Sequence, residues 1–107
     1  MSAANPWLLL FLAGLFEIVW ALGLKFSHGF TRPLPTVITA LGAFVSFFLL
    51  ARAMIHLPVG TAYAVWVGIG AVGTAILGVY LFHEPVNALR VTGIALILAG
   101  IVALRVG

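Results

Sequence analysis

The sequence has no cysteine and very little charge, and both shortages limit what the protein can be. Without cysteine it can form no disulfide and perform no thiol chemistry, and cysteine usage says nothing about its compartment. Only 7% of the 107 residues are charged and 64% are hydrophobic, whereas a soluble domain carries about 25% charged residues. With a mean hydropathy of +1.30, the composition excludes a soluble globular domain and indicates an integral membrane protein.

The patterns that mark enzymes and nucleic-acid-binding proteins are also missing. The net charge of +3 comes from scattered basic residues, which do not form the basic patch typical of nucleic-acid binding. His28, His56 and His83 lie in separate loops without the spacing of metal ligands. The run GIGAVG, residues 68–73, fits G-x-G-x-x-G by letter, but a dinucleotide site needs a preceding strand, and these glycines lie in an apolar helix. We therefore expect no enzymatic activity, no metal, no cofactor and no nucleic-acid partner.

Four hydrophobic segments separated by short breaks make up the chain. The first of them is about 28 Å long as a helix, enough to cross a bilayer core of about 30 Å. Because no segment is left for an extramembrane domain, we expect an all-α membrane fold with one four-helix transmembrane domain over residues 1–107. The predicted helices cover residues 6–24, 34–53, 61–82 and 88–105.

Basic residues are almost evenly divided between the two sides of the membrane. Arg52 and Arg105 share a side with the N-terminus, and Lys25, Arg32 and Arg90 lie on the other side. A protein with one orientation usually has a clear excess of basic residues in its cytoplasmic loops. The balance predicts dual topology, in which the chain pairs with an inverted copy; the alternative is one orientation with a weak signal. Four short-looped helices also leave little room for a central site, so a solute pathway needs a second copy.

Glu17 is the only charged residue in the first span. A carboxylate at the centre of a membrane helix costs roughly 2.5–3.5 kcal/mol, so such a residue usually faces a partner, a cavity or a solute. Helical spacing places Gly14 and Trp20 on its face, where the glycine leaves space and the indole offers an N–H group. Glu17 is therefore the first candidate for a functional site. The alternative is a protonated acid that forms a hydrogen bond with a neighbouring helix.

Polar and aromatic residues in the second and third spans extend this candidate site. Tyr63 and Trp66 share a helix face, and aromatic rings attract cations. Both residues also lie near a helix start, where an interfacial aromatic belt is the alternative interpretation. Ser46 lies near mid-span, where it could form a hydrogen bond with Glu17 or with its own helix backbone.

Small residues mark places where helices can bend or approach each other closely. Gly68, Gly70 and Gly73 form a thin, bendable segment of the third span, which we predict to be a hinge. Small residues four or seven positions apart allow close packing, either within one chain or between two chains. The last span carries two such stripes, Ala95 with Ala99 on one face and Gly93 with Gly100 on another.

Several motifs resemble those of the small multidrug resistance transporters. They are GLFEIVWALGLK at residues 14–25, SHGFTR at residues 27–32, LPVGTAYAVWVGIGAVG at residues 57–73, and the short fourth span. The match covers nearly the whole chain. In detail it resembles the guanidinium exporter subtype, because Trp20 lies three residues after the acid, at a position where the multidrug subtype typically has a small residue. The run GIGA, residues 68–71, also resembles that subtype.

This resemblance implies a proton-coupled antiporter in the bacterial inner membrane. Its subunits would form an antiparallel homodimer in the lipid bilayer, with protons and guanidinium-type cations competing for the paired Glu17 carboxylates. The third helix would bend around residues 68–73, and the fourth helices would make much of the dimer contact. Val67 replaces the expected threonine, which removes a hydroxyl near the site and bears on substrate breadth. The implied partners of Glu17 are Trp20, Ser46 and Tyr63 as hydrogen-bonding residues, Trp66 as a lining residue and Gly14 as a close-packing residue.

Two other functions compete with guanidinium export. A multidrug exporter for quaternary ammonium or bulky aromatic cations would use the same acid in a more open cleft, which Trp20 would partly fill. A non-transporting accessory subunit, such as one serving a lipid carrier, would leave Glu17 without a role.

Overall fold

The computed structural model describes residues 5–107, which fold into four α-helices joined by short loops. All four helices are long and apolar enough to cross a membrane, which confirms the predicted all-helical fold with four membrane-length segments. Their ends differ from the predicted ends by no more than two residues, and the first four residues of the predicted domain lie outside the described part. The helices are α1 (Pro6–Phe26), α2 (Pro33–Ala53), α3 (Val59–Phe82) and α4 (Ala88–Val106).

Local sequence explains where the helices begin. The side chain of Asn5 accepts a hydrogen bond of 2.8 Å from the backbone N–H of Trp7 at the start of α1. Asn87 accepts one of 2.9 Å from the backbone N–H of Arg90 at the start of α4. Pro33 is the first residue of α2. Side-chain caps satisfy N–H groups that have no partner within the helix, and proline has no N–H to satisfy.

The central helix is α1, which packs against both α2 and α3. The backbone of α4 approaches that of α3 alone, and no residue of α4 is buried. Within one chain, α1 is therefore packed between α2 and α3, whereas most of α4 is uncovered. The buried apolar core consists of Leu10 and Ala13 of α1, Leu50 and Ala53 of α2, and Ala62, Val65 and Trp66 of α3.

Candidate functional site

The Glu17 carboxyl lies at mid-span, against the backbone of α3. A Cβ atom on Gly70 would overlap this carboxyl group, so the missing side chain of Gly70 is what lets the acid lie there. The oxygen Oε1 of Glu17 is buried and has no hydrogen-bond partner among residues 5–107. An unpaired buried polar atom is costly and is typical of a site that exchanges partners.

Ser46 is fully buried on α2, but its hydrogen bonds differ from those expected. Its hydroxyl donates to the carbonyl oxygen of Ala13 at 2.7 Å and accepts from Nε1 of Trp66 at 2.9 Å. The expected bond to Glu17 is absent, because the single hydroxyl proton is already donated to the α1 backbone. Ser46 also does not bond its own helix. It connects α2 to both α1 and α3 beside the acid.

Aromatic side chains from three helices meet next to Ser46. Trp66 is buried at 6% exposure, so it belongs to the interior of the bundle and not to an interfacial belt. Tyr63 is 55% exposed, at the edge of the group. Phe47 of α2 was not predicted as a site residue, since nothing in its apolar run distinguishes it from Phe48. This aromatic cluster consists of Trp20, Phe47, Tyr63 and Trp66, with neighbouring ring centroids 5.6–6.5 Å apart.

The indole N–H of Trp20 is the second unpaired group of the site. Its Nε1 is buried and has no hydrogen-bond partner in the part of the chain that the structure describes. Neither Trp20 nor Tyr63 donates to Glu17 in this structure, contrary to the expectation from the resemblance. An unpaired acceptor and an unpaired donor thus lie three residues apart on α1, on one helix face.

Gly14 does not leave open space beside the acid. It is buried, and a Cβ atom there would overlap the side chain of Ile69. The space expected at this position is therefore filled by α3. Gly14 is a close-packing residue one helical turn from Glu17.

Each glycine of the predicted hinge receives a side chain from a neighbouring helix. The helix α3 runs without interruption through all three positions. Their observed role is close packing, and bending at these positions stays a prediction. A Cβ atom would overlap Ile101 of α4 at Gly68, Glu17 of α1 at Gly70, and Ile18 of α1 at Gly73.

The small residues predicted for dimer packing have little to pack against in one chain. A Cβ atom added to Gly93 or Gly100 would meet no atom of another described residue within 4 Å, apart from the helix's own backbone. Ala95 and Ala99 are exposed. Packing among residues 5–107 leaves these stripes uncovered, and their role in a dimer stays a prediction.

The fold and the site of the described residues define a class of protein. The protein has four membrane-length helices, and the central one carries one acid at its middle, with a tryptophan N–H and an aromatic cluster beside it. Over residues 5–107 no group of three or more His, Asp or Glu side chains could hold a metal ion. This is a multi-pass membrane protein with a solitary acid at mid-span, an arrangement typical of ion and proton pathways.

Comparison with known proteins identifies the family. The profile described as Small Multidrug Resistance protein matches residues 5–97. The guanidinium exporter of Yersinia pseudotuberculosis serotype I (strain IP32953) is 57% identical over 99 residues, which cover 92% of this chain and 95% of that protein. The guanidinium exporter of Escherichia coli (strain K12) is also 57% identical, over 92% of this chain and 94% of its own length. That of Proteus vulgaris is 54% identical, over 92% and 95%.

The chain belongs to the small multidrug resistance family, as its motifs predicted. It is a multi-pass protein of the bacterial inner membrane. Its relatives are named as exporters, which agrees with the expectation of a transporter and not an enzyme.

Proposed function

We propose that this protein exports guanidinium and small guanidinyl cations in exchange for protons. The observation that carries the proposal is the mid-span carboxyl of Glu17, whose Oε1 is buried without a partner in residues 5–107. The relatives named guanidinium exporters support the choice of substrate. Protons and substrate would compete for this carboxyl group, so that inward proton movement drives outward movement of the cation.

The chemistry of the site suits a planar cation. Guanidinium presents N–H donors in a fork that matches the two oxygens of a carboxylate. Its flat face can stack on aromatic rings, which the neighbouring aromatic cluster supplies. Protonation of Glu17 would remove the negative charge that holds the cation. In this proposal Trp20, Tyr63 and Trp66 line the site, and Ser46 positions the indole of Trp66 through its hydrogen bond.

The working unit in this proposal is an antiparallel homodimer of four-helix subunits. Charge balance between the loops supports insertion in both orientations. The uncovered face of α4, with open space at Gly93 and Gly100, supports a contact with a second copy. Such a dimer would bring two Glu17 side chains to one site. Bending of α3 at Gly68–Gly73 would then expose the site to each side in turn.

The topology can be tested with single cysteines, because the chain has none of its own. We expect His56→Cys and Val86→Cys, in loops on opposite sides of the membrane, each to be labelled to about half by a membrane-impermeant maleimide on intact cells. Labelling after permeabilisation supplies the total for each variant. Complete labelling of one variant and none of the other would show a single orientation and contradict dual topology.

Transport by the purified protein tests the function. In proteoliposomes on a solid-supported membrane, guanidinium pulses should give saturable currents, and a proton gradient should change their size. Currents with tetraphenylphosphonium but none with guanidinium would favour a multidrug exporter. If protein shown to be folded by size-exclusion chromatography gives no current with either cation, the result would favour an accessory subunit.

A further inference from the structure

A cavity lies between α1 and α3, and no residue of the aromatic cluster lines it. Its volume is about 290 Å³. Small residues make up half of its lining, including Ala21 of α1 and Ala71 of α3. The lining also includes the charged residues Lys25, Glu84 and Arg90. The cavity therefore has a largely apolar wall and a mouth lined by charged side chains.

This cavity is lined by Glu84, and its other lining residues on α3 lie between Gly70 and the end of that helix. Gly70 contacts the carboxyl of Glu17, and Gly78 contacts the carboxyl of Glu84, since a Cβ atom at either glycine would meet that acid. Gly78 lies two turns after Gly70 on the same face of α3, about 12 Å along the helix axis. Thr74 lies midway between them and lines the cavity.

Backbone geometry brings Glu84 back over the end of α3. His83 ends the helix in the left-handed conformation, with φ of 55°. The backbone N–H of Glu84 then donates to the carbonyl oxygen of Gly78 at 3.4 Å. Because Gly78 has no side chain, the Glu84 carboxyl can lie against the helix at the cavity mouth.

Glu84 already forms an ion pair with a guanidinium group, that of Arg90, and this ion pair is weak. Nη2 of Arg90 lies 3.8 Å from Oε1 of Glu84, and the two side chains are 46% and 41% exposed. A charge-assisted hydrogen bond is about 2.7–2.9 Å long, so this pair is a weak ionic contact that an incoming cation can replace. Lys25 also lines the mouth, which leaves Glu84 as the only negative charge among the charged lining residues.

We propose that Glu84 is an outer binding site on the substrate pathway, where guanidinium displaces Arg90 before it moves inward to Glu17. The proposal rests on the proposed guanidinium export. Thr74 lies along this route, and its hydroxyl oxygen is buried with no partner in the described chain, so it can accept a hydrogen bond from the passing cation. In an antiparallel dimer each face of the membrane would have one such mouth.

Opposite effects of two substitutions distinguish this role from a structural ion pair. We expect Glu84→Gln to raise the guanidinium concentration for half-maximal current about five-fold, the upper range for an exposed charge pair. Arg90→Gln should lower it about two- to five-fold by removing the competing guanidinium. Arg105→Gln is the matched control, because Arg105 lies over the ring of Trp7 at 4.8 Å, remote from this mouth. Its half-maximal concentration should not change.

The measurement is the current on guanidinium chloride pulses in proteoliposomes, with thermal stability of each variant in detergent. A structural pair would lower stability in both variants and shift both half-maximal concentrations in the same direction, which would overturn the proposal. If Glu84→Gln does not purify as a folded protein, the Arg90→Gln variant is sufficient as a test. An unchanged or raised half-maximal concentration in that variant overturns the proposal. If the wild-type protein carries a guanidinium current and neither substitution changes the half-maximal concentration, only the outer site is rejected. Absence of wild-type guanidinium current rejects the proposed function as well.

Discussion

Glu17→Gln is expected to abolish proton-coupled guanidinium transport. The amide keeps the shape of the side chain but carries no charge to hold the cation and no proton to exchange. Removing one partner of a buried charge pair costs about 2–5 kcal/mol, so transport should fall by a factor of roughly thirty or more. The measurement is guanidinium current in proteoliposomes with and without a pH gradient. Proton-driven guanidinium uptake by this variant would contradict the assignment of Glu17 as the binding site for protons and substrate.

Two controls separate loss of chemistry from loss of fold. Since Oε1 of Glu17 has no partner among residues 5–107, the neutral amide should leave thermal stability unchanged or higher. Glu17→Asp keeps the carboxyl group and should retain transport with a shifted pH dependence. A Gln variant that unfolds in detergent would point to a structural role for the acid instead.

Gly70→Ala is expected to reduce transport about ten-fold, which corresponds to about 1.4 kcal/mol, because the carboxyl of Glu17 can no longer lie in its binding position. The new Cβ atom would overlap the Glu17 carboxyl. The flexible acid can turn away from α3, so the variant should fold while the carboxyl leaves its binding position. Guanidinium current and thermal stability, measured on the same preparation, should therefore separate, with current lost and stability nearly retained.

Gly60→Ala is the matched control for this substitution. It makes the same change in the same helix, at a position where a Cβ atom meets nothing within 4 Å. Its currents should equal those of the wild-type protein. If the Gly70→Ala variant also gives the same currents as the wild-type protein, transport does not need the Glu17 carboxyl at this face of α3.

Sequence alone identified the class of protein, its four spans and its family. Membrane helices follow from composition, since a helix in lipid must satisfy its own backbone and present apolar side chains. Glu17 was identifiable because one acid in an otherwise uncharged span is costly and therefore conspicuous. Trp20 and Trp66 were predicted as site residues from their spacing and type. Both lie in the aromatic cluster beside the α1 acid, although their binding roles stay proposals.

Contacts between helices could not be predicted in this way. Ser46 was expected to bond Glu17, but it bonds Ala13 and Trp66. The space expected at Gly14 is filled by Ile69. Phe47 gave no sequence signal that separated it from its neighbours.

The same limit applies to the two glycines of α3 that lie against the carboxyl groups. Nothing in the spacing of α3 showed that Gly70 lies against Glu17 or that Gly78 lies against Glu84. Helical periodicity determines which residues share a face, whereas the rotation and depth at which two faces meet depend on how all four helices pack. The sequence by itself determined the spans, the family and the unusual acid. Only the tertiary structure decided which neighbour each of these side chains contacts.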